Sequence, residues 1–300
     1  MKTKTPKDNF ILFLGTGAGD FHGEHPDCPE DTHCGKARVL GGKNIRRAAA
    51  LLVAPDVVVD FGKTTPDQLK SFGIPRSAIC RAVFTHGHYD HCHPPTVLDF
   101  AARGKAPLSL YGNTRIRDAL DFAARFDWKD GQKRFVRVRR KQHYAYRVIQ
   151  PEKTFRLGDL KITPVLANHD VDKDWMVQQQ VAMNLVIQRG GRTLFYGLDS
   201  SIFLPGTLEF LKRKRFRIDL LVLDATWGNL AVDLKQSGHL NFALADQTVQ
   251  QMRREKALKD DAKIIYSHLS VHEVPPHDQA AGPLAEQGVI LAYDGMKMEF

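Results

Sequence analysis

The chain has 300 residues, 43% hydrophobic and 26% charged, an ordinary globular balance that lets one large α/β domain, residues 1–300, bury a sizeable core. No apolar run approaches membrane-spanning length, residues 10–14 are too short for the core of a signal peptide, and four cysteines are too few for a disulfide scaffold, so a soluble, cytoplasmic protein with reduced thiols is expected. The net charge of +9 favours anionic partners.

In chain order, residues 2–8 form a polar start, and residues 20–44, rich in Gly, Pro, His and charge without periodicity, read as a long loop. Residues 48–53 and 57–61 read as paired strands around Pro55-Asp56, and 66–72 as a short helix. Residues 78–84 are largely apolar, bounded by Pro75 and Pro94, and read as a buried strand. That strand ends at Thr85-His86-Gly87-His88-Tyr89-Asp90-His91, a His-x-His-x-Asp-His pattern. A strand end followed by a tight loop can aim several side chains into one small volume. Imidazole nitrogen and carboxylate oxygen suit zinc, iron and manganese. Four such groups crowd a single ion that must keep an open position, so two neighbouring ions are the natural reading, His86 and His88 on one, Asp90 and His91 on the other.

Residues 114–126 read as a helix. Residues 129–147 carry eight Lys or Arg against one Asp, with Val136-Arg137-Val138-Arg139 alternating like a strand with one basic face; Lys212-Arg213-Lys214-Arg215 is a second basic run. Residues 160–166, 183–188, 193–196 and 220–223 read as strands, 242–258 as an amphipathic helix capped by Asn241, and 264–266 and 289–292 as closing strands. Strands and helices thus alternate in two halves, each with metal-type residues at strand ends, which suits two sheets between helices.

The motif resembles that of the metallo-β-lactamase-fold hydrolases, in the branch of the phosphoribosyl 1,2-cyclic phosphate phosphodiesterases and tRNA 3′-processing endonucleases. The resemblance covers nearly the whole chain. It begins at Leu12-Phe13-Leu14-Gly15-Thr16-Gly17-Ala18-Gly19 and continues through Val57-Val58-Val59-Asp60-Phe61-Gly62 and the His motif. It resumes at Asn168-His169-Asp170, Tyr196-Gly197-Leu198-Asp199-Ser200, Leu223-Asp224-Ala225-Thr226, Gly238-His239-Leu240 and Tyr266-Ser267-His268-Leu269-Ser270. It implies a four-layer αββα sandwich. It implies one ion on His86, His88 and His169, a second on Asp90, His91 and His268, and Asp199 bridging them. Two ions about 3.5–4 Å apart would clamp a bridging hydroxide for attack on phosphorus. His239 is the implied general acid, Asp90 is counted with it as catalytic, and Asp60 and Asp224 are candidates to orient ligand imidazoles.

Residues 22–34 hold two cysteines and three histidines. By resemblance to a structural zinc built from early cysteines and a late histidine, Cys28, Cys34 and His272 are expected to hold a third ion, with His25 or His33 as fourth ligand. The early Cys-x-Cys-x-x-Cys of the relatives is absent, and Pro94-Pro95 stand where many relatives carry glycine. Cys80 and Cys92 read as ordinary small residues.

The implied function is a dinuclear metal hydrolase, with zinc, manganese or iron as cofactor, cleaving a small cyclic or diester phosphate. An endoribonuclease of the tRNA 3′-processing type is the alternative, with the basic segment holding nucleic acid and Phe135, Tyr144 and Tyr146 stacking on bases. A non-catalytic accessory protein, similar to that of pyrroloquinoline quinone synthesis, is the third. No membrane partner is expected; a homodimer is compatible with the sequence. Trp175 and Trp227 are candidates for the substrate pocket.

Overall fold

The structure is a computed structural model that describes residues 9–169, 182–233 and 237–300; Asp170 and Trp175 lie outside them. The first half contributes β1 (Phe10–Gly15), α1 (His33–Leu40), β2 (Ala50–Val53), β3 (Val57–Val59), α2 (Thr65–Ser71), β4 (Arg81–Val83), α3 (Pro94–Ala102), β5 (Leu108–Gly112) and α4 (Thr114–Ala123). Then come β6 (Phe126–Lys129), β7 (Arg134–Arg137) and β8 (Tyr144–Val148). The second half contributes β9 (Phe155–Leu157), β10 (Leu160–Leu166), β11 (Met183–Arg189), β12 (Arg192–Gly197), α5 (Thr207–Arg213), β13 (Ile218–Asp224), α6 (Phe242–Arg254), β14 (Leu258–Ser267), α7 (His277–Glu286), β15 (Val289–Leu291) and β16 (Lys297–Glu299).

One seven-stranded sheet runs β16-β1-β2-β3-β4-β5-β8 and the other β15-β14-β13-β12-β11-β10-β9; β6 and β7 form a separate hairpin. In each sheet four of the seven strands are mutually parallel: β3, β4, β5 and β8 in the first, β12 to β15 in the second. Three cores divide four layers. Phe13, Leu51, Val53, Leu185, Leu194 and Val222 meet between the sheets. Leu52, Phe84, Leu98, Ile116 and Leu120 pack under the helices of the first half, and Phe210, Leu221, Leu244, Met252 and Leu284 under those of the second. Neighbours such as Leu51 and Leu52 are therefore buried on opposite faces, and these strands read as continuous apolar runs rather than alternating ones. The αββα sandwich is the architecture observed.

One local expectation is corrected. Within the expected loop 20–44, residues 33–40 form α1: the Thr32 hydroxyl accepts from the Gly35 amide and Cys34, Gly35 and Ala37 are buried, a cap and a face too short to show as periodicity. Pro94 and Pro95 open α3, where a missing N–H costs no helix bond. Among the described residues no helix is long and apolar enough to cross a membrane.

Candidate metal centre

The parallel strands of both sheets, together with β10, which is antiparallel to β11 and so runs in the direction of β12, deliver polar side chains from their carboxyl ends, the edge at which open α/β sheets place ligands. Asp60 follows β3, His86 to His91 follow β4, His169 follows β10, Asp199 follows β12, Asp224 ends β13 and His268 follows β14. The histidines and aspartates among them are buried except His88, which is partly exposed. Asp60, Asp199 and His268 have positive φ (62°, 49° and 58°). Three non-glycine residues in the left-handed region at three strand ends are strain held in place by the surroundings, and each turns the chain so that its side chain faces the cluster.

The structure brings together every residue expected at the dinuclear centre. The ligand atoms of His86, His88 and His169 lie within 4.8 Å of one another, as do those of Asp90, His91 and His268, and those of His86, His91 and Asp199. His91 Nε2 stands 2.6 Å from Asp199 Oδ2 and 3.2 Å from Asp90 Oδ2; His268 Nε2 stands 3.1 Å from Asp199 Oδ2. The outer ring nitrogens meet acceptors. His91 Nδ1 is 2.8 Å from Asp60, His169 Nδ1 3.1 Å from the Gly238 carbonyl, and His268 Nδ1 2.9 Å from Thr226 Oγ1, which donates to Asp224. Those contacts put the proton on the outer nitrogen and a lone pair on the inner one. Two such inner nitrogens, of His91 and His268, face each other at 3.1 Å. The inner His86 Nε2 is buried without a partner. Converging lone pairs and carboxylates, with no donor among them, are the donor set of a cation.

Electrostatics agrees. Burial alone would lower His91, yet the carboxylates of Asp199, Asp90 and Asp60 hold it well above its usual value. His268, also opposed by burial, is pushed up to about 10, chiefly by Asp199. Left to protons alone, the surplus negative charge protonates these imidazoles; a divalent cation would meet the same charge without them.

His239 stands at the rim, its Nδ1 2.8 Å from Asp224 Oδ2, and its ring stacks on His268 at 5.3 Å. Burial lowers its pKa, but Asp224 overrides this and raises it. Asp224 is a hub: it also accepts from the amides of Asp199, Thr226 and Leu240. Asp60 accepts from the Thr85 amide and hydroxyl as well as facing His91. Sequence reasoning missed Thr85, Thr226, Trp227 and Ser237 as supports; the Trp227 indole donates to Ser237, whose hydroxyl accepts from the His239 amide. Thr85 and Thr226 each lie at the end of a quoted motif, and that position was the only signal. The Gly15–Gly19 turn closes the floor, a Cβ at Gly19 coming 3.7 Å from Asp90.

The second cluster is partly different from expectation. Cys28 and Cys34 are joined as a disulfide, with Cα atoms 5.9 Å apart, which corrects the expectation of free thiols: the turn into α1 brings the pair within bonding reach whatever the compartment. Their sulfurs and a His272 ring nitrogen lie within 4.8 Å of one another. The His25 ring packs on His272 at 4.6 Å. His33 is not brought into that group.

A four-layer sandwich with a His/Asp cluster on its carboxyl edge defines the class of metallo-β-lactamase-fold proteins. A family model described as beta-lactamase superfamily domain matches residues 59–259, more than half of the chain, and the chain belongs to that superfamily. Among solved structures it is similar to a diphosphatase of the PhnP family, at 20% identity and TM-score 0.67 over 97% of both chains. It is similar to Zn(2+)-bound PqqB from Methylobacterium extorquens, at 16% identity and TM-score 0.69, covering 97% of this chain and 100% of that one. The short form of human tRNase Z is similar at 19% identity and TM-score 0.61, covering 97% and 98%. At these identities the likeness is one of fold. No curated protein matches in sequence.

Proposed function

We propose that the chain is a dinuclear metal-dependent hydrolase acting on a small cyclic or diester phosphate. The observation that carries this is the convergence of inner imidazole nitrogens with their outer nitrogens already engaged. His86, His88 and His169 hold one ion, Asp90, His91 and His268 the other, and Asp199 faces both; zinc, manganese and iron all suit the donors. Bound there, the ions supply Lewis acidity toward the phosphoryl oxygens and an activated water. His239, with Nδ1 fixed by Asp224, protonates the leaving oxygen. Asp60 and Asp224 orient His91 and His268 through the outer nitrogens. In the reduced chain, Cys28 and Cys34 with His272 and His25 hold a structural zinc. The likeness to a diphosphatase supports phosphoester chemistry; the likeness to tRNase Z, with the basic segment, favours an endoribonuclease as the second reading.

Elemental mass spectrometry of the reconstituted protein, with turnover of bis(p-nitrophenyl) phosphate, tests the proposal. Two catalytic ions per chain are expected, and His239→Ala is expected to retain them while losing about 10²–10⁴ in turnover. Failure to bind metal overturns the proposal. Metal bound without turnover of any phosphodiester favours an accessory role.

A further inference from the structure

The β6–β7 hairpin carries a surface that the metal centre does not use. Trp128 pairs with Phe135 and Phe126 with Arg137 across the two strands, so these four side chains share one face. Phe122 of α4 packs on Phe126 and Phe135 with centroids 5.1 and 5.2 Å apart, and Trp128 on Phe135 at 5.1 Å. Four aromatics in mutual contact normally close a core, yet Phe122, Trp128 and Phe135 stay 44%, 45% and 55% exposed. An apolar patch left this open marks an interaction surface.

Charge surrounds it. Residues 125–141 contain eight Lys or Arg and two Asp. Asp127 is engaged by Lys129 and Arg140 and Asp130 by the Trp128 indole, which leaves Arg125, Arg137, Arg139 and Lys141 without a carboxylate partner among the described residues. These four line one open groove of about 1010 Å³ beside the aromatic face. Tyr144 and Tyr146, expected above to stack on bases, are half-buried instead, donating to Asp121 and to the Asn113 carbonyl; Phe122 and Trp128 take their place.

We propose that this hairpin and groove bind single-stranded RNA, bases stacking on Trp128 and Phe135 while the four free cations take successive phosphates. An aromatic face beside a basic groove is the combination that holds unpaired nucleic acid without reading sequence. A second copy of the chain is disfavoured, because a two-fold contact sets the same cations against themselves. A lipid surface is disfavoured because the cations line a concave groove rather than a plane. The site is remote from the chemistry. The α4 helix starts after the carboxyl end of β5 and spans ten residues, about 15 Å, and β8 opens in register with the first residue of β5. The hairpin therefore sits on the amino edge of the parallel strands, opposite the metal cluster, and its occupancy is independent of the proposed hydrolysis.

Fluorescence anisotropy of a labelled 12-nucleotide oligouridylate with the full chain tests this. Four phosphate contacts predict that Kd rises about 50-fold between 50 and 200 mM salt. Trp128→Ala with Phe135→Ala should weaken binding about tenfold or more. Arg137→Gln with Arg139→Gln, a surface change that leaves the aromatics in place, should roughly halve the salt slope. A duplex of the same length should bind more weakly. Absence of binding at 50 mM salt, binding indifferent to both double variants, or equal affinity for duplex overturns the proposal. So does capture of anionic phosphatidylserine vesicles in preference to RNA, or a dimer in solution that Phe135→Ala dissociates.

Discussion

Asp60→Asn isolates the contribution of one orienting carboxylate to the metal centre. Asp60 is fully buried, and its left-handed backbone suits asparagine at least as well as aspartate, so the turn survives. One oxygen can go on accepting from the Thr85 amide and hydroxyl. The other, 2.8 Å from His91 Nδ1, becomes an amide nitrogen, and two donors then face each other. His91 relieves the clash by moving its proton to Nε2, which removes the lone pair aimed at Asp90, Asp199 and His268. A hydrogen bond to a charged group is worth about 1.5–3 kcal/mol, and loss of an outer partner of a ligand imidazole costs about 10–100-fold in metal affinity, about 1.4–2.8 kcal/mol at 1.4 kcal/mol per decade. The two routes agree. Competition against a chelator of known affinity, followed by elemental analysis, reads the change directly, with a circular dichroism melt as the folding control. Metal retention equal to that of the unmodified chain, in a folded variant, refutes the orienting role of Asp60.

The candidate ligands were legible in proportion to their closeness in sequence. His86, His88, Asp90 and His91 sit within six residues, and that density has chemical meaning before any fold is known. His169, Asp199 and His268 are single polar residues after strands, and only their order along the chain, as in similar proteins, marked them. What brings them together is backbone geometry, the positive φ at Asp199 and His268, of which residue type gives only weak notice, since aspartate and histidine are enriched in the left-handed region yet adopt it uncommonly. The Thr226 hydroxyl, set between Asp224 and His268, is equally silent, since a threonine after a strand is ordinary. The strands were readable where burial on both faces gave continuous apolar runs. The helix α1 was not, because its buried face is two small residues and a cysteine. On the hairpin, basic alternation was visible, but which aromatics remain free was not: Tyr144 and Tyr146 lie on β8, where α4 and its N-cap offer their hydroxyls acceptors, while Trp128 and Phe135 lie on the separate hairpin.

Gly62→Ala should disturb the same loop sterically: its Cβ would stand 2.1 Å from the Asp90 carbonyl oxygen, backbone that cannot rotate away, and a loss of about 1–3 kcal/mol with reduced metal content is expected from a melt and elemental analysis. His22 is a pH sensor of the fold. Burial and the nearby Arg46 and Arg38 lower it to about 4, and the Arg46 amide, donating to its Nδ1, favours the neutral ring in the same sense. Its folded value lies below the unfolded 6.5, so the unfolded chain binds the extra proton, and stability that is complete above pH 6.5 falls away toward pH 4, by at most about 3 kcal/mol; urea melts of the chain and of His22→Asn should diverge in that window and run parallel above it. The Cys28–Cys34 pair separates two chemistries that need the same sulfur proximity. As a disulfide its sulfurs carry no thiolate, and zinc binds thiolates, so the two states exclude each other. Reduction in the presence of zinc should therefore add one zinc per chain and raise the melting temperature, because a site that ties the loop to His272 stabilises only the folded chain. Cys28→Ser or His272→Ala should abolish both effects and leave the dinuclear centre loaded. A reduced chain that fills its catalytic sites but takes up no additional zinc shows that the pair serves as a disulfide alone.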